Sequence, residues 1–203
     1  MGNRYDNFYG YTGMFPVLRD VAGEAPKITS LRRCLSELEN GQGSLFSRTG
    51  LVHGARLFLL DDVVYNGAPS PQEHLDYAYV VLSITFDGDL AELAFQLAEH
   101  GGEEWDAIFS HCYGFMDYGR DATGIINFLS RGQVTTSFLY VDASADLKDT
   151  LSALALQREI GFLLEQAQLL DTAGRKKLIR ELAAKMAAAP DLIPGDFHHR
   201  EAN

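Results

Sequence analysis

Two cysteines, Cys34 and Cys112, are all that the 203 residues contain. They are too few for a disulfide framework and lack the paired spacing of a zinc site, so two reduced thiols in the cytoplasm are expected. Basic residues are scarce as well. Lys and Arg number 17 against 28 Asp and Glu, for a formal net charge of −11. A phosphate backbone needs a basic surface, so nucleic acid is not an expected partner. Long apolar runs are missing too. None approaches the roughly 18 to 20 residues that span a bilayer, and the opening MGNRYDNFYGYTGMFP has no apolar core of signal-peptide length. The expectation is a soluble cytoplasmic protein with no membrane partner. Finally, no strand-to-helix turn carries the glycine-rich signature of a dinucleotide fold.

What is present suffices for one substantial core, since 46% of the residues are hydrophobic. The richest stretch runs from Tyr77 to Phe115. Tyr77, Tyr79, Val81, Ser83 and Thr85 alternate with Ala78, Val80, Leu82, Ile84 and Phe86, which predicts a strand with one wholly apolar face. Asp89 with Glu92 three residues on predicts a helix start, and Leu90, Leu93, Ala94, Leu97 and Ala98 form its apolar stripe up to Gly101-Gly102. After that break a strand is expected near 107–112.

Around this unit, Leu31, Cys34, Leu35 and Leu38 predict a helix opened by Ser30 and stopped at Asn40-Gly41. A strand is expected over 52–60, with Gly54 marking a bulge or a close approach and Asp61-Asp62 at its exit. A loop with His74 follows. Gly124–Arg131 reads as a helix and Gln133–Val141 as a strand. Ser144 is expected to cap a long helix reaching Leu170, with a second helix over 172–189 before Pro190 and Pro194. Residues 1–28, with five aromatics among glycines and no period, read as an irregular arm over a hydrophobic surface. The expected organisation is therefore an arm (1–28), an α+β domain (29–170), and a C-terminal helix with a loose tail (171–203).

Strands interleaved with helices and no dinucleotide turn point to α+β, with an antiparallel sheet carrying helices on one face. The other face would show Tyr77 and Tyr79, too apolar for full solvation, and two such sheets packed together would solve this. On element order over residues 50–165, the chain resembles the ferredoxin-like, dimeric α+β barrel superfamily. That superfamily includes haem-dependent dye-decolorising-type peroxidases, chlorite dismutases and cofactor-free monooxygenases. Ile84-Thr85-Phe86-Asp87-Gly88 keeps the Asp-Gly of the peroxidase Gly-x-x-Asp-Gly motif, with Ile84 where the first glycine would be. The resemblance implies a homodimer, a small-molecule ligand, haem as a possible cofactor, and Asp87 with Tyr79 as cofactor-side residues.

Three residues are candidates for chemistry. His111, in His111-Cys112-Tyr113, is a general base, a ligand, or a structural histidine at a sheet edge. On a strand it would share a face with Tyr113 and not with Cys112, which disfavours a Cys-His nucleophilic pair. His53 and Arg56 lie on the first strand and face opposite ways unless Gly54 introduces a bulge. Arg56, flanked by apolar residues, is expected to find a carboxylate such as Asp87 or to clamp a ligand anion. Two functions follow: a small-molecule enzyme, an oxidoreductase of haem or cofactor-free type, or a non-catalytic protein whose open sheet face is a subunit interface.

Overall fold

The apolar alternation of Val80, Leu82, Ile84 and Phe86 builds the central strand of the sheet. In the computed structural model, which describes residues 3–20, 26–39, 41, 43–141 and 145–188, all four are buried to within 2% of full enclosure. The chain divides into two compact units, Met1–Asp142 and Ala143–Asn203. The division falls at 142, where a domain running to 170 was expected.

The first unit is α+β. Its antiparallel sheet has the order β1-β2-β4-β3, with β1 at Arg4–Tyr5, β2 at Phe8–Pro16, β3 at Val52–Leu60 and β4 at Tyr79–Asp87. Helices α1 (Lys27–Glu37), α2 (Leu45–Arg48), α3 (Leu90–His100), α4 (Gly102–Phe109) and α5 (Ala122–Gly132) complete it. The α3 start is as predicted, with the Asp89 carboxylate accepting from the Ala91 and Glu92 amides. One core gathers the apolar face of β4, Leu93 and Leu97 of α3, Trp105, Ile108 and Phe109 of α4, and Phe128 and Leu129 of α5.

Three expectations are overturned, each for a physical reason. Residues 8–16 are no arm but an inner strand of the sheet. Their alternation is hidden because glycine stands in both rows. Tyr9, Tyr11, Gly13 and Phe15 face the helices. A Cβ on Gly13 would fall inside the Tyr11 and Phe15 rings, so only glycine lets these two aromatics close over the strand. The Tyr11 hydroxyl then donates to the Leu129 carbonyl at 2.8 Å. Burial pushes its ionisation well above the ordinary tyrosine value, with the neighbouring Tyr9 adding to the shift.

The expected strand near 107–112 is the helix α4 and the turn after it. Trp105, Ile108, Phe109 and Cys112 are all buried, a spacing of 3, 4 and 7 that belongs to a helix.

The expected strand 133–141 is reduced to one bridge, Gly13 with Gln133, supported by the Val134 amide bonding the Thr12 carbonyl at 2.8 Å. Continuing it would require the edge of β2 at residues 8–10. That edge is taken: β1 pairs with Phe8 and Tyr9, and the Gly10 amide bonds the Asn3 carbonyl. The displaced segment passes over the second face of the sheet instead. Leu139 lies against Gly10, where a Cβ would clash, and Tyr140 meets Tyr5 edge to face.

In the second unit, α6 (Leu147–Gln168) and α7 (Thr172–Ala188) follow the predicted bounds closely. Asp146 caps α6 by accepting from the Asp149 amide; Ser144, expected in that role, lies outside the described residues, as do Pro190 and Pro194. No helix among the described residues is long and apolar enough to cross a membrane.

Candidate functional site

Gly54 does introduce a bulge. The β3 register slips between Val52 and Gly54, so that Val52 sits opposite Phe86 and Gly54 opposite Thr85, with His53 the extra residue between them. A bulge re-aims a side chain, and here it turns His53 onto the face away from the helices. Its Nε2 lies 2.8 Å from Asp87 Oδ1, and its ring packs on Phe8 at 5.1 Å between centroids. Asp87 is 5% exposed, one of two buried polar or charged residues among those described.

An ionised carboxylate only accepts, so His53 donates through Nε2 and its neutral ring keeps the lone pair on Nδ1. A buried carboxylate that holds an imidazole in one tautomer is an arrangement suited to proton transfer.

The sheet register places further groups beside this pair. Opposed residues share a face, so Thr12, Ser83 and Arg56 form one row across β2, β4 and β3, and the Thr12 and Ser83 hydroxyls lie 3.5 Å apart. Between that row and the row of Phe8 and Asp87 lie Gly10, Thr85 and Gly54. Two of those three lack a side chain. Nothing occupies the space a Cβ would take at Gly54, so the face dips between His53 and Arg56 on its β3 side. Further along, the same face turns apolar, with Met14, Val81, Phe58 and Tyr79.

Arg56 is exposed, its guanidinium 5.8 Å from the Phe58 ring centroid. The ion pair expected between Arg56 and Asp87 is not what forms. The bulge gives His53 the place beside the carboxylate, and Arg56 lies three residues further along the strand, opposite Ser83. It does share the open face with His53, which without the bulge it would not.

His111 does not join them. It sits in the turn after α4, its Nδ1 donating to the Ala107 carbonyl at 2.9 Å, while its own carbonyl accepts from the Leu18 amide at 2.8 Å. This is the far end of β2, nine residues beyond Phe8, or roughly 30 Å at about 3.3 Å per residue. Cys112 beside it pairs with Val17, and burial pushes its thiol up to about 12, so it is no nucleophile. Tyr79 is equally remote from Asp87, at the other end of β4.

The paired aspartates separate. Asp61 bonds Arg32. Asp62 accepts from His74 Nδ1 at 2.6 Å and from the Leu75 and Val63 amides, and these bonds, that of His74 foremost, lower it to about 2.

A cleft that no motif announces lies between α3, α4 and α5, about 290 Å³ in volume and walled by Leu97, Trp105, Asp106, Arg120 and Ile125. Asp106 and Arg120 pair with each other across 2.9 Å, and the Trp105 indole nitrogen, without a partner among the described residues, is sealed from solvent. Of these groups, the ion pair is spent and the indole nitrogen out of reach, which leaves Glu103 at the rim. The chain matches no protein-family model, no curated protein and no solved structure.

Proposed function

We propose that this chain is a small-molecule enzyme of the ferredoxin-like, dimeric α+β barrel type, working without a bound cofactor, with its site in the dip on the open sheet face. The single observation that carries this reading is the His53–Asp87 pair, a buried carboxylate bonded to a histidine on the sheet face opposite the core helices. The element order supports the fold assignment. With Gln133 on the outer edge of β2, the antiparallel order Gln133-β2-β4-β3 is that of a ferredoxin-like sheet whose last strand has shrunk to a bridge. The apolar half of the face supports a homodimer, since Phe58 is 40% exposed there.

In this reading His53 takes a proton from a bound substrate, Asp87 stabilises the imidazolium that forms, and Arg56 holds the developing negative charge. The substrate is a small organic acid with an acidic C–H, and the carbanion so formed is the species a cofactor-free oxygenation requires. A haem does not fit the candidate residues. Asp87 is bonded directly to His53, so the two cannot flank a macrocycle, and Tyr79 lies at the far end of the strand.

Exchange of C–H for deuterium in a panel of small carbonyl acids tests the proposal. His53→Ala is expected to slow exchange by about 10²- to 10⁴-fold. Equal exchange by wild type and variant would end the reading. The alternative, a non-catalytic subunit interface, rests on the same exposed Phe58, and it predicts that Phe58→Asp dissociates a dimer in which His53→Ala has no effect beyond stability.

A further inference from the structure

We infer that Leu139 is a specificity-determining residue of the site proposed for His53, a reading on which this inference rests, and that it makes the site choose between the two enantiomers of a branched acid. The floor of the dip is Thr85, with Gly10 beside it on β2 and Gly54 beside it on β3. Along β4, both ends of the dip carry chemistry. The His53–Asp87 pair stands at one, and Arg56 with the Thr12 and Ser83 hydroxyls at the other. Across the strands, neighbouring backbones are about 4.8 Å apart, so Gly10 and Gly54 set the two side walls.

Those walls are unlike. Leu139 takes the place of the side chain that Gly10 lacks, since a Cβ there would lie 2.7 Å from Leu139 Cδ1 and 3.1 Å from Cδ2. At Gly54 nothing lies within 4 Å of the same position. One glycine lets an apolar side chain from a distant part of the chain down onto the sheet, and the other leaves a void. The segment carrying Leu139 is anchored on both sides of it. Before it, the Val134 amide bonds the Thr12 carbonyl at 2.8 Å and the Thr136 amide bonds Asn3 Oδ1 at 3.0 Å. After it, Tyr140 meets Tyr5 edge to face at 5.6 Å between centroids. All of these residues belong to the same compact unit as His53.

A tetrahedral carbon has four bonds, and the dip assigns each of them. The bond leading to the carboxylate points towards Arg56 and the hydrogen towards His53. The remaining two point across the strands, the smaller group to Leu139 and the larger to the void at Gly54. His53 Nδ1 takes the proton, the electron pair stays on the substrate as the enolate, and a deuteron returns from the imidazolium in heavy water. The mirror image, held by the same two ends, drives its larger group into Leu139. Only one enantiomer then presents its hydrogen to His53.

Deuterium exchange into the two enantiomers of the α-keto acid whose acidic carbon bears one hydrogen, one methyl and one ethyl group tests this. The enantiomers differ in where one methylene goes, so the full chain is expected to exchange one of them about 10- to 200-fold faster. Leu139→Ala is expected to cut that ratio about tenfold, by speeding the disfavoured enantiomer. Gly54→Val fills the other wall and is expected to cut it by slowing the favoured one. Phe138→Ala, in the same segment but exposed, leaves the ratio unchanged. Exchange of both enantiomers at equal rates, or a ratio that Leu139→Ala does not move, overturns the role of Leu139 and leaves that of His53 standing. Dissociation constants for the two enantiomers of the saturated acid with the same branching, which has no acidic C–H, separate the two roles. Unequal constants that Leu139→Ala brings together, in a chain that exchanges no keto acid, keep Leu139 and remove His53 as the base. Equal constants without exchange overturn both.

Discussion

At one end of β2 a histidine works through its side chain, and at the other a histidine works largely through its backbone. His53 and Asp87 flank Phe8, and their contact joins two ionisable groups on the sheet face opposite helices α3 to α5. His111 stands beside Val17 and Leu18, where its carbonyl and the Cys112 bridge close the open edge of the strand, and its ring folds back on its own helix. The two residues look alike in composition and differ in what surrounds them. A site needs partners drawn from different strands onto one face, and only the bulge end has them.

Breaking the structural end has the largest expected effect. Phe109 touches Phe15, Trp105, Phe115 and Phe128, so Phe109→Ala is expected to cost about 3–5 kcal/mol in urea unfolding. If the contrast holds, substrate C–H exchange by the fraction still folded is unchanged.

Alkaline pH strikes the same end. The unfolded chain releases the Cys112 proton near its ordinary value of 9.0 and the folded chain only near 12. The stability tied to this group is therefore complete below pH 9 and lost as pH rises towards 12. Unfolding free energy is expected to fall by on the order of 2 kcal/mol between pH 8 and 11, and Cys112→Ala should remove most of the fall up to pH 10. An identical slope in that variant would contradict the assignment.

At the other end, Asp87→Asn keeps the shape and removes the charge. A loss of about 1–2 kcal/mol in unfolding free energy is expected, together with a loss of C–H exchange comparable to that of His53→Ala. Stability lost with exchange intact would make the pair structural and erase the difference between the two ends. The smallest effect is reserved for His111→Ala. It removes one exposed side-chain bond and leaves the backbone bond to Leu18 in place, so about 0.5 kcal/mol or less is expected, with exchange unaffected.

The pattern of these sites was only half visible in the sequence. Gly54 was readable as a bulge, and with it the possibility that His53 and Arg56 share a face. That Asp87 would be the carboxylate His53 finds was not readable, because nothing local says which residue of β4 stands opposite a slipped register. His111 was misplaced for a different reason. Ala107–Cys112 shows only an imperfect alternation, whereas Trp105, Ile108, Phe109 and Cys112 carry the helical period.

By itself, the sequence determined the α+β class, the β3 and β4 strands, the capped helix α3 and the helices α6 and α7, because periods of 2 and 3.6 and a capping aspartate are local signals. Only the tertiary structure decided that residues 8–16 are an inner strand and that 133–141 is not one. Both outcomes come from competition for a single strand edge. Asn3–Tyr5, Gln133–Val134 and His111–Tyr113 each take a part of the outer edge of β2. Backbone hydrogen bonds are nearly independent of side chain, so which segment wins depends on where the rest of the chain delivers it.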